Sequence, residues 1–148
     1  MEKHLEFLNT AIQQSHLADH LIYTTYPLIN EQKLLIKIVI ELNKSLENII
    51  KSIIYKEYLY KNIDYLPQDS RTQNEIIRKI LSLEETNIIK EIRNLIEKHN
   101  KSPMEFSKNN KFVIMTNHLT IDTITIEKIK QFNQTTKNII IKAKNHIQ

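Results

Sequence analysis

The chain contains no glycine. Loops that cradle phosphate, and the sharp elbows that present a nucleophile, need backbone that tolerates positive φ or close approach, and glycine supplies both. P-loop and Rossmann-turn chemistry is thereby excluded, and no cofactor, nucleotide or other, is expected. Helix C-termini must use asparagine or fray, and Asn100 and Asn145 stand at suitable places. Cysteine is also absent, which removes disulfides, thiol nucleophiles and cysteine-ligated zinc. A reducing cytoplasm fits that composition. No window reaches the roughly 18 uncharged apolar residues of a membrane span; the richest, residues 34–40, already holds Lys37. Met1-Glu2-Lys3-His4-Leu5-Glu6 carries acids where a secretory leader carries bases, and no apolar run follows it.

What is present has a globular balance, 41% hydrophobic and 26% charged, and its length suits one core. A single domain over residues 1–148 is expected, mainly all-α. Leu8, Ala11, Ile12, Ser15, Ala18 and Ile22 recur at helical steps until Pro27 closes the segment. Asn30 is expected to cap a long second helix with the stripe Leu34, Leu35, Ile38, Leu42, Leu46, Ile49, Ile50 and Ile53, fading near Tyr60. Asp64, Pro67, Asp69 and Ser70 mark a loop, and Ser70 with Gln73 suggests a capping box for a short helix over 72–81. Ser82 with Glu85 repeats that signal for a helix bearing Ile88, Ile89, Ile92, Leu95 and Ile96, ending near Asn100. Residues 101–106 read as a connection anchored by Phe106.

The period then changes. Phe112 to Met115 and Thr120 to Thr125 are rich in β-branched residues around a polar turn at Thr116-Asn117-His118, which predicts a small β-hairpin confined to residues 111–125. Thr125 caps a last helix with Ile126, Ile129, Phe132, Ile139, Ile140, Ala143 and Ile147 on its core side. The sum is an up-down bundle of four or five helices with the hairpin inserted before the C-terminal one.

Three groups of residues could carry chemistry. His16, Asp19 and His20 share a helix surface at metal-ligand spacing. No partner motif supplies a third or fourth ligand, so no metal is assigned and Asp19 is expected to hydrogen-bond to His16 or to a neighbouring helix. Tyr55, Tyr58, Tyr60 and Tyr65 alternate with Lys51, Lys56 and Lys61, a pattern that could stack bases but more often buries rings at a bundle end. The formal net charge of +4 is unevenly divided: residues 1–69 hold seven Lys plus Arg against nine acids, and residues 70–148 fourteen against eight. Within the basic half, Lys130, Lys137 and Lys144 recur every seven residues, about 10.5 Å apart along one flank, and could follow a phosphate backbone.

Arg93-Asn94-Leu95-Ile96-Glu97-Lys98-His99 resembles the Arg-x(4–6)-His motif of the HEPN superfamily, helical bundles that include metal-independent ribonucleases and inactive partners of nucleotidyltransferases. The resemblance implies a dimer in which two such motifs meet. Arg93 would stabilise phosphate charge, Asn94 would support it, and His99 would move a proton or orient a ribose 2′-hydroxyl. Two features depart from that pattern: Lys101 stands where some members have tyrosine, and the hairpin is foreign to the common bundle. The expectation that leads is a non-enzymatic interaction module with a protein partner or a second copy of itself, touching RNA or a ribonucleoprotein through its basic half. A HEPN-like ribonuclease or inactive toxin-system partner stands second.

Overall fold

The computed structural model describes residues 2–147. Helix α1 (Lys3–His20) buries Leu8, Ala11, Ser15 and Ala18 at helical spacing. It does not stop before Pro27. A π-helical turn, Leu21–Thr25, leads directly into α2, Tyr26–Ile29, and the Tyr26 amide reaches back five residues to the Leu21 carbonyl. Proline lacks an N–H and its ring clashes with the carbonyl four residues back, so the wider turn lets the helix pass Pro27. The stop comes at Asn30, whose backbone is left-handed (φ 51, ψ 41) and whose N–H bonds to the Tyr26 carbonyl at 2.8 Å. Asn30 therefore closes α2 and does not cap the helix after it.

Helix α3 (Lys33–Leu59) is about 40 Å long at 1.5 Å per residue and forms the centre of the bundle. It buries Ile36, Val39 and Ile54 as well as most of the expected stripe, because helices cover it on more than one side. Helix α4 (Ser70–Ile77) is capped by Asp69, which accepts from the Thr72 amide at 2.8 Å, so the cap lies one residue before the expected Ser70. Asp69 outcompetes Ser70 because its carboxylate also accepts the Thr72 hydroxyl, at 2.7 Å. Helix α5 (Leu83–Lys101) has the complete Ser82/Glu85 capping box. Helix α6 (Ile126–Ile147) starts where the Thr125 hydroxyl accepts the Lys128 amide.

Between α5 and α6 lies a three-stranded antiparallel sheet in the order β1 (Met104–Lys108), β2 (Lys111–Met115), β3 (Ile121–Ile124). The expected hairpin is β2–β3, with Phe112 opposite Ile124 and Met115 opposite Ile121. Strand β1 extends the sheet back into residues expected to be a connection. Lys108 pairs with Lys111 across Asn109 and Asn110, both left-handed (φ 52 and 62). That is the two-residue turn whose twist matches paired strands. Phe112, Ile114 and Ile124 join the helical core, which settles how so small a sheet is stabilised.

Five described residues have positive φ: Asn30, Lys61, Asn109, Asn110 and Leu119. Asparagine takes three of these positions, as a chain without glycine requires, but Asn100 and Asn145 stay inside α5 and α6.

Candidate nucleic-acid interface

Small residues let α1 lie close against α3. The Ser45 hydroxyl donates to the Ala11 carbonyl at 2.7 Å and the Ser52 hydroxyl to the His4 carbonyl at 2.6 Å, with both serines fully buried. Helix α6 packs against both α1 and α3. At its far end the buried Lys56 ammonium donates to the carbonyls of His146 and Ile147, each at 2.7 Å, and so caps α6 from α3. His146 Nε2 meets Glu57 Oε1 at 2.7 Å beside it. These ties set the spacing between α1 and α6, and a shallow groove runs along that seam.

The groove has a volume of about 260 Å³, and its lining includes His16 from α1 and Lys137 and Lys144 from α6. Lys130 continues the flank toward the corner, where its ammonium lies 5.5 Å from the centre of the Tyr23 ring; Lys137 lies 6.0 Å from the same ring. Tyr23 is 54% exposed, so part of its ring remains open to solvent. The three lysines named from their spacing thus share one seam with an aromatic ring and a histidine. Their electrostatic states differ. Lys137 is paired with Asp19 at 2.6 Å, whereas Lys130 and Lys144 have no carboxylate partner among the described residues.

Asp19 is held by α6, as one of the two expected arrangements has it. The Lys137 ammonium beside it keeps its carboxyl below the usual aspartate range, against the opposing effect of partial burial, and the Asn133 amide donates to it at 3.0 Å. Asn133 Oδ1 remains buried without a donor among the described residues. Among the described residues no three His, Asp or Glu side chains gather closely enough to hold a metal ion.

Arg93, Asn94 and His99 are distributed around α5. Arg93 Nε donates to Glu47 Oε1 on α3 at 2.7 Å, while its Nη1 is buried without a partner among the described residues. His99 Nδ1 lies 2.6 Å from Glu105 Oε2 on β1. Asn94 lines a separate open cleft of about 390 Å³ with Lys98, Lys101 and His118, between α5 and the β2–β3 turn; neither Arg93 nor His99 lines it. Lys98 is paired there with Asp122 at 2.7 Å and Lys101 with Glu97 at 2.8 Å.

The tyrosine and lysine run divides by role. Lys56 is the buried cap of α6, Lys51 lies 5.7 Å from the Phe7 ring, and Tyr58, Tyr60 and Tyr65 remain exposed at that end of α3. Tyr23 and the groove-facing role of His16 escape sequence reasoning. Tyr23 follows a helical register that the π turn alters, and nothing local says that α6 will lie beside it.

No family model, curated protein or solved structure matches this chain. No helix among the described residues is long and apolar enough to cross a membrane.

Proposed function

We propose that the chain is a non-enzymatic interaction module that contacts single-stranded RNA, free or within a ribonucleoprotein, through the α1–α6 groove. The observation that carries this reading is the placement of Lys130, Lys137 and Lys144 along one seam, with Tyr23 between the first two. Lysines neutralise phosphates and release counterions, while an exposed ring offers a stacking surface to any base. Among the described residues Asp19 is the one acid paired with these lysines, and it engages Lys137.

That pairing makes the reading quantitative. Each phosphate neutralised on a single strand contributes about −0.7 to the slope of log K against log salt, so two free lysines give about −1.4 and three about −2.1. Fluorescence anisotropy with a labelled oligouridylate should give the smaller slope. Lys130→Gln with Lys144→Gln should weaken binding similarly across sequences and flatten the slope, whereas Lys137→Gln should do less. Affinity unaltered in the double variant removes the groove from consideration.

The HEPN-like ribonuclease reading stands second, supported by the motif on α5 and by Asn94 at the rim of a cleft. Intramolecular partners already occupy the groups it needs, Glu47 for Arg93 and Glu105 for His99. It requires a dimer by light scattering and RNA cleavage that survives EDTA. His99→Ala should then lower the rate by ~10²–10⁴-fold.

A further inference from the structure

Another cleft lies on a different part of the surface. Helices α4 and α5 enclose about 510 Å³ lined by Arg71, Asn74, Glu75, Arg78, Thr86 and Lys90. The α4 residues recur at three- and four-residue steps and therefore share one face, and Thr86 and Lys90, four apart, share a face of α5. Arginine is scarce in this chain, at positions 71, 78 and 93 only. Arg93 is committed to Glu47, and the other two line this cleft.

The charges here are less compensated than along the rest of α5. Glu85 pairs with Lys142, Glu91 with Lys128 and Glu97 with Lys101, so the paired acids of α5 are directed elsewhere. Of the four Lys and Arg residues on α5, Arg93, Lys98 and Lys101 each have a carboxylate, and Lys90 has none among the described residues. Glu75 is the one acid in the lining, 4.0 Å from Arg71, with both side chains largely exposed. Arg78, Lys90 and the Asn74 amide make no ion pair or hydrogen bond through their side chains among the described residues. With Arg71 offset by Glu75, the cleft presents two free cations and an amide donor.

We infer that the α4–α5 cleft binds the dianionic phosphate of a small molecule, a phosphomonoester or a pyrophosphate. A phosphate group of about −1.5 to −2 at neutral pH matches the two uncompensated cations, whereas one backbone phosphodiester supplies half that charge. The Arg78 guanidinium can grip two phosphate oxygens at once, and Lys90 adds a point charge from the opposite wall.

Calorimetric titration with sodium pyrophosphate, with ribose 5-phosphate and with a 5′-hydroxyl RNA hexamer tests this assignment. One or both small ligands should give saturable one-to-one heat. Arg78→Ala and Lys90→Ala should each weaken that binding roughly ten- to a hundredfold, as loss of hydrogen bonds to a charged group does. Arg78→Lys should weaken it too, because the fork is lost while the charge stays. The Lys130→Gln, Lys144→Gln double variant should bind the small ligands normally, which separates this site from the α1–α6 groove. Thermal unfolding of each variant confirms that it is folded. No saturable heat with either small ligand, or heat indifferent to both alanine substitutions, overturns the inference. So does a result in which only the hexamer binds and Arg78→Ala abolishes it, since that is backbone contact.

Discussion

The seam between α1 and α3 and the seam between α5 and α6 solve the same packing problem in different ways. The first uses short neutral groups: Ser45 and Ser52 sit fully buried and donate to carbonyls of the facing helix, so the two backbones can approach closely. The second uses long charged ones: Lys142 reaches Glu85 at 2.6 Å, and Lys128 pairs with Glu91. Close approach makes the first seam intolerant of added volume, while the second can lose a pair to solvent at small cost. The difference shows where specificity of packing resides, and it can be broken one residue at a time.

Ser45→Leu should have the largest effect, about 3 kcal/mol of destabilisation in urea unfolding, because the new side chain must push α1 away from α3. Ser45→Ala should cost only about 1 kcal/mol, the usual value of one hydrogen bond. Near-equal midpoints for these two variants would show that the seam is looser than its serines suggest. Lys56→Met comes next, at about 2 kcal/mol, since it leaves the His146 and Ile147 carbonyls without their buried donor.

On the charged seam, Glu85→Gln should cost about 1 kcal/mol, because glutamine can still accept from the Ser82 amide but gives up the ion pair with Lys142. Burial alone would raise the Glu85 carboxyl, yet Lys142 and Ser82 together hold it below the ordinary glutamate range. A depressed carboxyl contributes stability that is fully present above its unfolded value of about 4.3 and is lost as pH falls through the folded one. The difference between wild type and Glu85→Gln should therefore be constant at neutral pH and shrink in acid. Lys128→Gln should have the smallest effect, within about 0.5 kcal/mol, since both partners in that pair are well exposed.

Much of the fold was legible where a local signal sufficed. The Ser82/Glu85 box, the Thr125 cap and the apolar stripe of α6 all depend on residues within a turn or two of one another. Strand β1 was less visible because Met104 to Lys108 offers a single aromatic and little alternation; Asn109-Asn110 was the clue, a pair suited to positive φ in a chain with no glycine. Asparagine serves both helix starts and left-handed stops, and only the π turn before Pro27 makes Asn30 a stop. At the candidate site the lysine spacing was readable from α6 alone. Tyr23 and Asp19 meet it from more than a hundred residues away, and the Glu47 and Glu105 partners of Arg93 and His99 likewise come from other elements.

The groove has one wall from each end of the chain, and this bears on when it comes into being. Helices α1 and α3 are near neighbours in sequence and can meet early, whereas α6 reaches them only after the intervening helices and sheet have been synthesised, and its contacts close loops of 114 residues at Asp19–Asn133 and 91 at Lys56–Ile147. Loop closure over such separations slows folding, and the contacts that reward it come late. A chain whose α6 is made but not yet docked therefore has the lysines, the tyrosine and the histidine but no seam on which to arrange them. The groove itself is thus withheld until α6 docks.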